Sequence, residues 1–284
     1  MKPAAFHYHK PTNVAAAVAI LRDVGPNDGR GLAGGQSLVP MMAFRLARPP
    51  DLVDINGIAA LAKVTEEDNC LAIGAGVRHA AFHRPQGAGV LFRLLAQVVP
   101  NIAHYPIRTR GTFCGSLAHA DPSSEWCLVA ATLDATIVAQ STRGERLIAA
   151  KDFFQGIMST ALAEDELLSE ARLPLPPSDG KFGFYEFNRR TGDFAMAAAL
   201  VSYRLQTGKI VDARVGVGGA EPFPRRIAEA ESLLNGQAPG DKAFRAAAEA
   251  AATAVEAMED HQTTADYRRD LVRAVVRRAL EQSA

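Results

Sequence analysis

The spacing of apolar positions changes several times along the chain, and each change marks an element. Val14, Ala17, Val18 and Leu21 recur at helical spacing, so residues 13–24 are predicted to be a helix with Thr12 as its N-cap. Gly25-Pro26-Asn27-Asp28-Gly29 closes it as a turn. Asp51 to Asn56 alternates as a strand, and Leu61–Thr65 with Cys70–Ile73 reads as a hairpin around Glu66-Glu67-Asp68-Asn69. Val90 to Val99 returns to a helical period. Leu133–Ala139, Glu145–Ile148 and Leu167–Pro174 read as strands. Phe182–Phe187, Ala195–Leu205 and Ile210–Val217 predict an antiparallel sheet with a turn at Thr207-Gly208. The tail is helical, from Asp241 to Met258 and from Ala265 to Glu281. Leu271, Val275, Val276, Ala279 and Leu280 form the apolar side of the last helix. Arg268, Arg269, Arg273, Arg277 and Arg278 are expected to form its solvated face.

Two stretches of small residues interrupt this patterning. In Leu32-Ala33-Gly34-Gly35-Gln36-Ser37-Leu38 a Gly-Gly pair stands at a predicted strand-to-helix switch, with Pro40 in the first turn of the helix. Backbone N–H groups bared at such a switch attract phosphate, and Ser37 adds a hydroxyl. Residues 108–122 hold Thr109, Gly111, Thr112, Gly115 and Ser116 between two apolar segments and are expected to be a loop. Each stretch alone fits either a tight buried turn or a loop wrapped around a polar ligand. Gly74-Ala75-Gly76-Val77-Arg78-His79 lacks the third glycine of a dinucleotide fingerprint and is taken as a chance match. No Gly-Lys-Ser/Thr follows the first stretch, so it is not a Walker P-loop.

Composition narrows the classes. A net charge of +0 gives no electrostatic footprint for nucleic acid. Three scattered cysteines form no Cys-x-x-Cys pair and cannot supply the four thiolates of an ordinary iron–sulfur cluster. No metal is expected in this chain. The N-terminal residues lack the apolar core of a signal peptide and the longest apolar patch is too short for a bilayer, so a cytoplasmic protein is expected.

Three ordered signatures then stand together: Ala33-Gly34-Gly35-Gln36-Ser37-Leu38; Arg108 to Pro122, reading RTRGTFCGSLAHADP; and Arg189-Arg190-Thr191-Gly192-Asp193-Phe194-Ala195. Across nearly the whole chain they resemble the FAD-binding medium subunits of the molybdenum hydroxylases, the group of xanthine and carbon monoxide dehydrogenases. The resemblance implies an α+β fold: a two-part FAD-binding domain of the vanillyl-alcohol-oxidase/PCMH type over residues 1–57 and 58–176, then an α+β domain over 177–284. It implies FAD contacts at Leu32, Ala33, Gly34, Gly35, Gln36, Ser37 and Leu38 and at Thr112, Cys114, Gly115, Ser116 and Asp121. Ile102 and Glu125 fall where relatives also touch the cofactor, and Leu168 where an apolar residue meets it. Tyr185 or Glu186 stands where some relatives carry lysine. Cys114 replaces the family's usual glycine, so a different local backbone is expected there. His119 and Asp121 are expected to have a structural role, hydrogen-bonding the loop, and no catalytic acid, base or nucleophile is expected. The resemblance further implies a large partner with the molybdenum cofactor, a small partner with two [2Fe–2S] clusters, a heterotrimer or its dimer, and an external electron acceptor. A stand-alone flavoprotein oxidase and a flavin-free scaffold are the other readings.

Overall fold

The computed structural model describes residues 2–85, 87 and 89–284. The first part holds β1 (His7–His9), α1 (Val14–Val24), β2 (Arg30–Leu32), α2 (Leu38–Ala43) and β3 (Asp51–Asp54). Its three strands form a parallel sheet in the order β1-β3-β2, with Ala17, Val18 and Leu21 of α1 buried. Asn13, rather than Thr12, caps α1: its Oδ1 accepts the Ala16 N–H at 2.8 Å.

The second part holds β4 (Val64–Glu67), β5 (Cys70–Gly74), α3 (Val90–Val98), α4 (Tyr105–Arg108), α5 (Phe113–His119) and α6 (Glu125–Thr132). It continues with β6 (Thr136–Ser141), β7 (Gly144–Ala149), α7 (Ala150–Phe153), the pair β8 (Phe154–Gly156) and β9 (Ser159–Thr160), and β10 (Leu167–Pro174). An antiparallel sheet runs in the order β4-β5-β10-β6-β7. The first hairpin is tighter than predicted. Glu66 and Glu67 are in the strand, and Asp68 and Asn69, both at positive φ, make a two-residue turn whose twist suits the arms. The 108–122 stretch is not all loop, because α5 lies inside it. Thr112 Oγ1 accepts the Gly115 N–H at 3.0 Å as its N-cap. Its periodic signal is only Phe113 and Leu117, one turn apart and both buried.

The third part holds β11 (Lys181–Phe187), β12 (Ala197–Gln206), β13 (Lys209–Gly218), β14 (Arg225–Arg226), α8 (Ala228–Leu234), α9 (Asp241–Ala254) and α10 (Ala265–Ser283). Its strands form one antiparallel sheet in sequence order. Both faces of β12 are covered. Ala198 and Leu200 join the core of the first two parts, while Ala197, Ala199, Val201 and Tyr203 join a second core with α8, α9 and α10. Two glycines let helices press on this sheet. A Cβ on Gly216 would lie 1.8 Å from Thr132 Oγ1 of α6, and one on Gly183 would lie 1.9 Å from the Ala279 carbonyl of α10. Helix α9 stops four residues before the predicted Met258: Val255 turns extended, and Met258 N–H bonds to Ala220 O at 2.8 Å.

Arg268 departs from its expected solvated face. It is buried, donates to the carbonyls of Gly219 and Met196, and pairs with Asp260 at 2.7 Å. Arg269, Arg273 and Arg277 do lie outward, in ion pairs with Asp266, Glu249 and Glu281. Among the described residues no helix is long and apolar enough to cross a membrane.

Candidate functional site

The two small-residue stretches meet in space. A Cβ on Gly34 would fall 2.3 Å from the Arg110 carbonyl oxygen and 2.6 Å from Gly111 Cα, so the two backbones touch and only glycine fits between them. Gly35 has φ +72, a left-handed conformation that glycine adopts without cost. Among the described residues, the N–H groups of Gly35, Gln36 and Ser37 have no protein acceptor. Gln36 Nε2 bonds to Gly34 O at 3.1 Å and steadies the turn from within.

These stretches line one side of a cleft of about 680 Å³. Leu32, Ala33, Gly34, Gly35, Gln36, Ser37 and Leu38 all border it, as do Thr112, Cys114, Gly115, Ser116 and Leu168. His79, Gly111, His119 and Thr160 border it too and were not singled out as cofactor contacts from the sequence. Cys114 sits in α5 at an ordinary helical φ, so its side chain costs the backbone nothing. Its Sγ contacts Ile73 O at 3.3 Å, and burial pushes its thiol pKa up, which keeps it protonated and inert.

His79 closes the inner wall. Trp126 Nε1 donates to His79 Nδ1 at 2.9 Å, which leaves the ring proton on Nε2. That Nε2 faces Gly111, where a Cβ would approach it to 2.4 Å. Burial first, then the nearby Arg108 and Arg78 charges, push its pKa down to about 4, so the ring is neutral at physiological pH. His79 therefore presents an uncharged ring to Gly111 at this point of the wall.

Ile102, Asp121, Glu125, Tyr185 and Glu186 do not border this cleft. Asp121 Oδ1 accepts the Ser123 N–H at 2.8 Å, as expected of a loop hydrogen-bonder. The Ile102 carbonyl, with those of Pro100 and Ala103, accepts from the Arg108 guanidinium. Tyr185 and Glu186 point to opposite faces of β11, as neighbours on a strand must. The Arg278 guanidinium of α10 lies 4.9 Å from the centre of the Tyr185 ring. Glu186 instead faces Glu125 of α6, accepts from Asn188 Nδ2 at 2.9 Å, and keeps Oε2 buried without a partner.

Desolvation raises both carboxyls of this pair, to about 7 for Glu125 and about 8 for Glu186; the Glu125 charge adds to the rise at Glu186, while at Glu125 a backbone hydrogen bond and Arg108 oppose the rise and Asp121 adds to it. The folded chain therefore holds protons that the unfolded chain, with a carboxyl pKa of 4.5, has lost. Stability contributed by the neutral pair is complete below 4.5 and falls as pH rises toward 8. Glu186→Gln is expected to flatten the melting-temperature profile over that interval and to raise the melting temperature more at pH 8 than at pH 5. Parallel profiles for the two proteins would contradict the buried pair.

Comparison with known proteins accords with this geometry. The family described as "FAD binding domain in molybdopterin dehydrogenase" matches residues 4–176, and "CO dehydrogenase flavoprotein C-terminal domain" matches 182–283. The nicotine 6-hydroxylase medium subunit of Paenarthrobacter nicotinovorans is 36% identical over 99% of this chain and 98% of its own. The carbon monoxide dehydrogenase medium chain of Afipia carboxidovorans is 34% identical over 100% of this chain and 98% of its own. Among solved structures, carbon monoxide dehydrogenase from Hydrogenophaga pseudoflava superposes with a TM-score of 0.92 at 34% identity, over 100% of this chain and 98% of that one. Quinoline 2-oxidoreductase from Pseudomonas putida 86 does so with 0.92 at 33%, over the same shares. By full-length similarity, and with both domains present in order, the chain belongs to the FAD-binding medium subunits of the molybdenum hydroxylases.

Proposed function

We propose that this chain holds FAD in the cleft between residues 32–38 and 111–116 and carries electrons within a three-subunit oxidoreductase. The observation that carries this reading is the backbone contact of Gly34 with Arg110, which puts free N–H groups and small side chains of two distant segments on one cleft. A diphosphate held by amide hydrogens needs no excess of basic residues, in keeping with the +0 charge. FAD, when bound, supplies exchange between one-electron and two-electron chemistry. The protein's part is to bind and orient it. Leu32 to Leu38, with Thr112, Cys114, Gly115 and Ser116, would hold the diphosphate, and Leu168 an apolar portion. Ile102, Asp121, Glu125 and Glu186, outside the cleft lining, are assigned in this reading to the ring end of FAD, with Glu186 taking the place of the lysine of some relatives. Tyr185, held toward α10, is the weaker candidate.

In this reading residues 1–57 and 58–176 form the two halves of the FAD domain, and 177–284 form the third. A large partner carries the molybdenum cofactor and the substrate chemistry, and a small partner carries two [2Fe–2S] clusters. The complex is a cytoplasmic heterotrimer or its dimer, delivering electrons to an external acceptor. The test is to purify the chain alone and with its co-expressed partners and to measure flavin content and turnover. Stoichiometric FAD with no turnover by the isolated chain, and turnover in the complex, is the expected result. Unaided turnover would make it a stand-alone oxidase, and a complex that is active without flavin would make it a scaffold.

A further inference from the structure

The segment Gly74 to His79 is no fingerprint, yet its last two residues join the two halves of the cleft. The Arg78 guanidinium forks. Nη1 donates to Arg110 O, the carbonyl against which Gly34 rests, and Nη2 donates to Asn56 Oδ1 at 2.6 Å. Asn56 Nδ2 in turn donates to Ala33 O at 2.7 Å, in the other loop. The amide orientation is fixed, because Asp54 Oδ1 accepts both Asn56 N–H at 2.8 Å and Nδ2 at 2.5 Å. Tyr8 OH donates to the remaining oxygen of Asp54. On the far side, Val77 O accepts Phe113 N–H at 3.1 Å and Gly111 O accepts His79 N–H at 2.9 Å, so the second loop is tied to the Arg78 backbone. Among the described residues no hydrogen bond passes directly from 32–38 to 108–116. The chain Ala33 O, Asn56, Arg78, Arg110 O is the polar link between them.

We propose that Asn56 and Arg78 are positioning residues whose hydrogen-bonded strut sets the gap between the two loops, and through it the affinity of the cleft for the diphosphate of FAD. The proposal rests on the reading of the cleft as the FAD site. The two residues act through Ala33 and Arg110 and need no contact with the cofactor. Arginine is required because two acceptors in different directions must be met at once by a planar fork, which an ammonium does not reproduce. The strut lies outside the apolar core, and Asn56 is exposed, so the fold does not depend on it.

The full-length chain, stripped of flavin, is titrated with FAD as wild type, N56A, R78Q, R78K and N56A/R78K. Each single variant is expected to raise the Kd about 10-fold to 100-fold, the range for losing a residue that orients a binding group. The double variant is expected to bind no worse than the poorer single, because both changes break one link. The melting temperature of flavin-free N56A should match wild type. Wild-type affinity in R78K would make Arg78 a mere charge, and wild-type affinity in N56A would remove the strut; either overturns the proposal. If wild type itself takes up no FAD, the cleft reading fails. The strut is then judged by hydrogen exchange at residues 34–37 in the flavin-free chain: faster exchange in N56A supports it, and unchanged exchange overturns it.

Discussion

Gly34→Val is expected to abolish flavin retention while the protein still folds. The new Cβ would sit 2.3 Å from Arg110 O and 2.6 Å from Gly111 Cα. Both are backbone atoms, so no side chain can swing aside, and the loops must part. Gly34 belongs to neither apolar core, so the fold loses little. Affinity should fall at least ~100-fold, equivalent to about 2.7 kcal/mol. Gly35→Val should act by a second route: its φ of +72 is strained for any β-branched residue, and its Cβ would press on Val39 at 3.1 Å. The measurement is the flavin-to-protein ratio after purification, with circular dichroism to show an unchanged fold. Full occupancy in Gly34→Val would mean that FAD lies somewhere other than between these loops.

The second large effect is on stability. Arg268→Met should be the most damaging single change among the arginines of α10. The Arg268 side chain is 5% exposed and donates to Gly219 O and Met196 O as well as to Asp260. Methionine replaces the aliphatic stem but leaves two buried carbonyls short of a donor, at a cost of about 2–3 kcal/mol. Asp260 is half exposed and regains water. Arg269→Met is the control. Its partner Asp266 is almost fully exposed, and such pairs contribute about 0–1 kcal/mol. Denaturant unfolding of the flavin-free chain measures both, and equal midpoints for the two variants would refute the buried role. The signal was present in the sequence. Arg268 precedes Leu271 and Val272 by three and four residues and Val275 by seven, so it lies on the apolar stripe, not beside it.

Helix α5 leaves little periodic trace in the sequence, because Cys114, Gly115, Ser116 and Ala118 carry almost no hydrophobic period. Its cap, Thr112 with an N–H three residues on, was visible in principle. The contrast between Tyr185 and Glu186 follows from strand alternation, but which face meets α6 and which meets α10 follows from the packing of three elements distant in sequence. No local pattern encodes that Glu186 would find Glu125.

By itself the sequence determined the periods, and hence the longest helices and strands, the small-residue character of the two loops, and the order of signatures that marks the family. These are local properties, set by side-chain spacing and by what glycine permits. Only the tertiary structure decided that Gly34 lies against Arg110, that Asn56 and Arg78 span the space between, that Arg268 is interior, and that Ile102, Glu125 and Glu186 stand apart from the cleft. Those are facts of long-range register, fixed when both faces of the β12 sheet and the five-stranded sheet find their helices, and a one-dimensional pattern states which surfaces are buried without stating against what.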